Sequence, residues 1–209
     1  MAYLQNISND ELVLLPPGVF GGETIMVDDA RKLAHACEEL ARETVIGFDT
    51  ETRPSFQRGK VNPVALLQLS SAQKAYLIRV NKLRLSPELV KIFENERIVK
   101  VGASIRDDLK ILRKVTPFAP AGFVDLQSIV GQYGINELSV RKMSAIVLGI
   151  KVSKAQRLSN WEARQLTEAQ QSYAATDAWV CREIFLKLTG YRSPSVEKQK
   201  RRLFFFRKK

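Results

Sequence analysis

Two acidic residues, Asp49 and Glu51, lie two positions apart in a segment with the composition of a buried strand, TVIGFDTET. Alternate residues of a strand project from the same face, so both carboxylates would lie on one side of a sheet. Like charges this close raise each other's pKa and are unfavourable in a buried position unless they are compensated. A divalent cation such as Mg²⁺ or Mn²⁺ would compensate them, because hard cations prefer oxygen ligands. The alternative is a strand that ends at the surface with both carboxylates solvated, and for this pair alone that is the simpler interpretation.

A second pair of carboxylates, Asp107 and Asp108, follows the segment VKVGASIR. The pattern predicts a strand that leads into a helix, with Ile105 and Leu109 on the packed face of that helix. Adjacent helical residues point about 100° apart, so only one of the two carboxylates can face a site shared with the strand. Asp108 borders the packed face and is the candidate. Asp107 is expected to be a surface charge.

The third candidate element is the helix predicted over LTEAQQSYAATDAWVCREIFLKL, which places Tyr173 and Asp177 one turn apart on the same face. A helix in which the carboxylate merely accepts a hydrogen bond from the phenol is the ordinary alternative. Taken together, the three segments offer four carboxylates and one phenol. Such a set suits in-line displacement at a phosphodiester, in which two metal ions about 3.5 to 4 Å apart stabilise the attacking and leaving oxygens.

The elements that must position these residues are predicted from hydrophobic periodicity. The apolar spacing predicts a helix over residues 28–42, and the next three predicted strands are joined so that they pair antiparallel. Strand and helix then alternate, and the chain is expected to be helical from Leu138 onward. This order argues for a mixed sheet covered by helices. The expected strands begin at about Thr44 and comprise TVIGFDTET, ALLQLSS, KAYLIRV, Ile98–Gly102 and Phe123–Leu126.

The motifs FDTET, SIRDDLKIL and YAATD occur in order, and with them the chain resembles the DEDD superfamily of 3'-5' exonucleases. It resembles specifically the branch with a Tyr in the last motif, which contains RNase D and the Werner-type exonuclease domains. The resemblance runs from about Asp28 to Leu188 and includes the strand LLQLS and the segment RLSNWEARQLTEAQQ. It implies an α/β, ribonuclease-H-like fold, a single domain with a five-stranded mixed sheet flanked by helices.

The resemblance also implies a task for each candidate residue and two divalent metal ions, Mg²⁺ or Mn²⁺, as cofactors. Asp49 would bridge both ions, Glu51 and Asp177 would complete the first metal site, and Asp108 would hold the second ion largely through water. Tyr173 would orient the attacking water. A phenol with a pKa near 10 is a poor general base at neutral pH, so its contribution would be geometric.

Four residues that follow the first motif are candidates for substrate binding. Phe56 could stack on terminal bases, and Arg53, Arg58 and Lys60 could hold phosphates. A loop Phe that packs in a small hydrophobic cluster is the alternative. The family pattern usually has Asp where this chain has Asn160, which we expect to cap the following helix, and the neighbouring Trp is expected to be a core residue.

The chain has 209 residues and a formal net charge of +11, and 45% of its residues are hydrophobic. This content suffices for a core and excludes intrinsic disorder of the body. Residues 197–209 hold seven Lys or Arg and one Glu, which suits a polyanionic partner, although solubility alone would also explain them. We expect an N-terminal extension over 1–27, the exonuclease domain over 28–190 and a basic, Phe-containing tail over 191–209.

Two cysteines without C-x-x-C spacing predict neither a disulfide framework nor a zinc site, which favours a cytoplasmic location. No apolar run is long enough for a membrane span, so we expect no membrane association. The oligomeric state stays open.

The predicted function is metal-dependent 3'-5' exonuclease activity that releases nucleoside 5'-monophosphates. The chain is too short for the helical nucleic-acid-binding domains that follow the nuclease domain in RNase D, so DNA is slightly favoured over RNA. The alternatives are a catalytically silent nucleic-acid-binding module with the same fold, or a subunit of a larger assembly that docks through its tail.

Overall fold

A computed structural model describes residues 2–55 and 62–191 of the chain. Its sheet has the strand order β1-β4-β3-β2-β5-β6. β2 pairs antiparallel with β3 and β3 with β4, as predicted, whereas β1 is parallel to β4 and β5 and β6 continue parallel to β2. All strands except β3 therefore end at the same edge of the sheet. The strands are β1 (Glu23–Val27), β2 (Val45–Thr52), β3 (Val64–Ser70), β4 (Lys74–Ile78), β5 (Val99–Gly102) and β6 (Phe123–Asp125).

Helices cover both faces of this sheet. One face carries α2, α4 and α5, and its core includes Phe48, Phe93 and Leu112. The other face carries α7 and α8, and its core includes Val45, Val101 and Ile184. The helices of the described residues are α1 (Asn9–Leu14), α2 (Ala30–Leu40), α3 (Val80–Leu83), α4 (Pro87–Glu94), α5 (Ile105–Val115), α6 (Leu126–Ile129), α7 (Val140–Leu148) and α8 (Glu168–Thr189), with a 3-10 turn at Val130–Tyr133.

The mixed α/β fold is confirmed, but the sheet has six strands and not the predicted five. The additional strand is β1, which lies within the first 27 residues and forms the edge beside β4. Its five residues, ETIMV, show no clean alternation of apolar and polar side chains, because an edge strand buries little of itself: only Val27 is fully buried. Periodicity therefore gave no signal for it.

The region expected to be helical from Leu138 onward consists of two helices separated by an irregular segment. α7 ends at Leu148, where Gly149 adopts a left-handed conformation with φ of +73°, and α8 begins only at Glu168. The segment between them is irregular, although Trp161 within it is fully buried, as predicted. None of the helices in residues 2–55 and 62–191 is long and apolar enough to cross a membrane.

Candidate active site

Strand β2 carries the first two carboxylates, and α8 passes close behind it. A side chain at Gly47 would place its Cβ 1.9 Å from the carbonyl oxygen of Ala178, so only glycine allows this approach. Arg182, one turn further along α8, donates to the carbonyl oxygen of Val45 at 3.1 Å. The helix is thereby held against β2 at the level of its candidate residues.

Helix α8 begins with a capping box in which Thr167 and Gln170 exchange hydrogen bonds. Two turns later it presents Tyr173 and Asp177 to β2. Ligand oxygens of Asp49, Glu51 and Asp177 lie within 4.8 Å of one another, and all three residues are half-buried. The structure thus brings together residues that are 128 positions apart in the chain, as the motif argument expected.

The electrostatics of this cluster are dominated by burial and by like charge. Burial raises the pKa of Asp49 well above its ordinary value, and the neighbouring Asp177 and Asp108 raise it further. The pKa of Glu51 is raised by burial and then by the Asp49 and Asp177 carboxylates. Burial also raises the pKa of Asp177, whereas the Tyr173 hydroxyl and Lys154 lower it. Without a cation, the cluster would therefore hold protons at neutral pH.

Asp108 approaches the cluster from the opposite face of the sheet. The Thr50 hydroxyl donates a hydrogen bond to its carboxylate, and burial raises its pKa. The start of α5 is fixed by Asp125, whose carboxylate accepts hydrogen bonds from the backbone N–H groups of Ser104 and Ile105 at 3.0 and 3.1 Å. Asp107 is instead solvent-exposed and pairs with Lys110, as predicted.

The donor set suits a hard divalent cation. Three carboxylates converge, and no ion pair is formed to any of them by a Lys or Arg of the described segments. Lys154 and Arg157 act only through longer-range attraction, on Asp177 and Glu51 respectively. Oxygen-only ligation of this kind is what Mg²⁺ and Mn²⁺ prefer.

Sequence reasoning missed Gln68, which pairs across β2 and β3 with Asp49 and projects from the same face. Its side chain is fully buried, and neither amide atom has a hydrogen-bond partner among the described residues. Buried amides without partners are unusual and require explanation. The signal was present in the sequence as one polar residue within the apolar strand VALLQLS.

One of the four substrate-binding candidates lies within the described residues. Arg53 is exposed and forms an ion pair with Glu162 at 3.4 Å, while Phe56, Arg58 and Lys60 lie outside the described residues. Asn160 does not cap a helix, contrary to expectation. Its side chain accepts a hydrogen bond from the backbone of Glu162 in a local turn, and Thr167 caps α8 instead.

The chain is similar in sequence to known 3'-5' exonucleases. A sequence profile described as 3'-5' exonuclease matches residues 24–190. The chain belongs to the 3'-5' exonuclease family. The resemblance to RNase D and Werner-type exonucleases that the motifs indicated is thereby confirmed. Homologues of the family are nucleases, and the exonuclease domain of this chain carries a cluster of acidic residues.

Curated relatives of this chain are longer proteins. The chain is 31% identical over 184 residues to the bifunctional 3'-5' exonuclease/ATP-dependent helicase WRN of Mus musculus, with 83% of this chain and 13% of that protein covered. It is 30% identical over 169 residues to ribonuclease D of Acidiphilium cryptum, with coverage of 78% and 42%. The chain therefore spans less than half the length of these relatives.

Solved structures of exonuclease domains share the fold. The Nibbler EXO domain of Aedes aegypti superposes with a TM-score of 0.70 at 26% identity, with 78% of this chain and 85% of that chain covered. Escherichia coli RNase D, an exoribonuclease, gives 0.72 at 26% identity, with coverage of 80% and 44%.

Proposed function

We propose that this protein is a metal-dependent 3'-5' exonuclease that hydrolyses phosphodiester bonds from the 3' end of nucleic acid and releases nucleoside 5'-monophosphates, with DNA slightly favoured over RNA. The observation that carries the proposal is the convergence of Asp49, Glu51 and Asp177 within 4.8 Å. Like charges that are buried together destabilise the folded protein, and a bound cation would compensate them. Cation binding therefore explains why the three carboxylates lie together.

Each acidic side chain of the site has a separate proposed role. Asp49, Glu51 and Asp177 would hold a divalent cation, and Asp108, which lies against Thr50, would support a second. When bound, the cations lower the pKa of water and neutralise charge that develops on the phosphate oxygens. Thr50 keeps Asp108 in place by donating to its carboxylate.

Tyr173 would position the attacking water. Burial and the nearby Asp177 and Glu51 carboxylates raise the pKa of its phenol, so the hydroxyl stays protonated at neutral pH and serves as a hydrogen-bond donor, not as a base. Its hydroxyl lies beside the Asp177 carboxylate, which restricts its orientation. The phenol therefore contributes geometry.

The domain organisation and location are proposed on the sequence alone. The exonuclease unit would span 28–190, with an N-terminal extension over 1–27 that contributes β1 to the sheet and a basic tail over 191–209 that lies beyond the described residues except for Tyr191. A cytoplasmic location remains a prediction that fits two free, buried cysteines.

A gel assay with matched 3'-labelled and 5'-labelled DNA and RNA strands in Mg²⁺, Mn²⁺ or EDTA tests the function. We expect shortening from the 3' end only when a divalent cation is present, loss of activity in Asp49→Asn, and retained activity in Asp107→Asn, which changes an exposed carboxylate. Binding of the strands without cation-dependent shortening would show a silent binding module, and the exonuclease proposal would fail.

A further inference from the structure

A second charged cavity lies on the same side of the sheet as the acidic cluster. It has a volume of about 240 Å³ and is lined by Arg79, Lys82 and Arg164 together with Asp28 and Gln171. We call it the Arg79 pocket. Three cationic side chains against one carboxylate give it a positive charge, which suits an anionic ligand.

Arg79 forms the buried wall of the Arg79 pocket, with only 2% of its surface exposed. Its guanidinium donates to two neutral oxygens, Ala163 O at 2.7 Å and Asn81 Oδ1 at 3.4 Å. A guanidinium has five N–H donors and stays charged in proteins. Most of its donors are therefore unused by the described part of the chain.

No carboxylate compensates this buried charge by direct contact. None of the ion pairs within residues 2–55 and 62–191 includes Arg79, Lys82 or Arg164, and the Asp28 carboxylate is bound to Lys32 at 2.7 Å. Burial without a counter-charge is costly for a cation. An anion in the Arg79 pocket would offset this cost with bidentate hydrogen bonds, the geometry that arginine favours for phosphate.

Strand register relates the Arg79 pocket to the acidic cluster. Glu51 pairs with Leu66, and Leu67 pairs with Ile78, so Arg79 follows β4 in the same row as Glu51 and Leu66. Two spacings of about 4.8 Å put the backbones of Glu51 and Arg79 about 10 Å apart.

Arg79 and the acidic cluster also share a face of the sheet. The side chains of Ala75 and Leu77 pack on the face of the sheet that Trp161 covers. Arg79, two residues after Leu77, projects from the same face, and its hydrogen bond to Ala163 O agrees with this. The acidic cluster and the Arg79 pocket therefore lie on one face, so a ligand that joins them need not cross the sheet.

We propose that the Arg79 pocket binds a backbone phosphate of the substrate strand, upstream of the 3' end that lies at Asp49, Glu51 and Asp177. This assignment rests on the proposed exonuclease function. A dinucleotide has one internucleotide phosphate, which would lie at the acidic cluster, so none is left for the Arg79 pocket about 10 Å away. An octamer has further phosphates upstream that can reach it.

The test uses the full chain and compares two double variants. Lys82→Gln with Arg164→Gln removes two exposed charges from the Arg79 pocket, and the matched control, Arg97→Gln with Lys187→Gln, removes two exposed charges near the opposite edge of the sheet. Affinity is measured in EDTA by fluorescence anisotropy with single-stranded octamers and dinucleotides of DNA and RNA, over a range of salt concentrations. Thermal melting verifies that both variants fold.

We expect the pocket variant to bind octamers about tenfold more weakly than the control. The slope of log K against log salt should be smaller by about 0.7, because one phosphate is no longer neutralised by the protein. The ratio of kcat/KM between octamer and dinucleotide should fall by a similar factor. Arg79→Met, if it folds, should reproduce the weaker binding.

Equal octamer affinity of the two double variants would overturn the proposal. Weaker binding of inorganic phosphate or of a mononucleotide by the pocket variant, with octamer affinity unchanged, would also overturn it and would identify a site for a free phosphate. Failure of the wild-type protein to shorten any strand would instead refute the exonuclease function, and length-dependent binding through Lys82 and Arg164 would still be measurable.

Discussion

Replacing Asp49 by Asn should raise the stability of the metal-free protein and abolish its stabilisation by divalent cations. The pKa of Asp49 is raised by burial and by two neighbouring carboxylates. An amide in its place does not ionise, so folding in EDTA no longer has to protonate this carboxylate or bury its charge, and the folded state becomes more favourable. The same change removes a ligand, so cations no longer bind tightly.

The magnitude follows from binding linkage. At a free Mn²⁺ concentration a hundred times the dissociation constant, binding to the folded state alone adds about 2.7 kcal/mol to the free energy of unfolding. For a chain of this size that corresponds to a rise in melting temperature of roughly 5 to 10 °C. Thermal denaturation followed by circular dichroism, in EDTA and across a Mn²⁺ titration, measures both effects in one series.

The pH dependence has a defined sign. Carboxylates whose pKa is raised by folding bind more protons in the folded state, so the free energy of unfolding in EDTA falls as the pH rises above about 4. Each pKa unit by which folding raises a carboxylate lowers the stability by about 1.4 kcal/mol at pH values above both of its pKa values. The decline should be shallower in Asp49→Asn.

Asp107→Asn is the matched control, because it changes an exposed carboxylate close to Asp108 in sequence. It should melt like the wild-type protein in EDTA and gain the same stability from Mn²⁺. An equal Mn²⁺ shift in Asp49→Asn and in the wild type would refute the reasoning, and so would a lower melting temperature of Asp49→Asn in EDTA at pH 8.

Three other changes test separate parts of the structure. Gly47→Ala should lower the free energy of unfolding by about 1 to 3 kcal/mol in urea titrations and reduce activity, because the new Cβ would lie 1.9 Å from Ala178 O. The control Gly21→Ala should change neither quantity, because no atom lies within 4 Å of the Cβ it adds. Tyr173→Phe should lower kcat on the order of a hundredfold yet keep the Mn²⁺ melting shift, and an unchanged kcat would show that the phenol has no part in turnover. Lys100 is fully buried, burial lowers its pKa to about 8, and its Nζ donates to Asn95 O at 2.8 Å. Above about pH 8, folded Lys100 therefore loses a proton that the unfolded chain keeps up to about pH 10.5. Between pH 7 and 10, the free energy of unfolding of the wild type, measured in urea, should rise by up to about 3 kcal/mol relative to that of Lys100→Met. An equal difference between the two proteins at both pH values would contradict this.

Much of the site could be predicted from short motifs. The two-residue spacing on β2 and the four-residue spacing on α8 each place their pair on one face, because strand and helix periodicity are local properties of the backbone. The choice of Asp108 over Asp107 rested on the same local geometry, and the structure places the first against Thr50 and the second in solvent. The mixed fold could also be predicted, since strand and helix segments alternate visibly in the chain.

Other features could not be predicted from the sequence and are seen only in the folded chain. Edge strand β1 buries too little to show periodicity, and Asn160 differs from its expected role because a turn, not a helix, follows it. The approach of α8 to Gly47 and the buried amide of Gln68 depend on contacts between segments far apart in sequence. The Arg79 pocket is of the same kind, since register alone sets Arg79 level with Glu51.

The amino-acid sequence by itself determined which residues could do chemistry, because residue type and short-range spacing are carried by neighbouring positions of the chain. The tertiary structure alone decided which charges are buried, which cations of the described residues lack an ion-pair partner, and how far apart the acidic cluster and the Arg79 pocket lie. Burial and distance depend on the packing of whole elements against one another, and that packing is a sum over many long-range contacts that no local pattern contains.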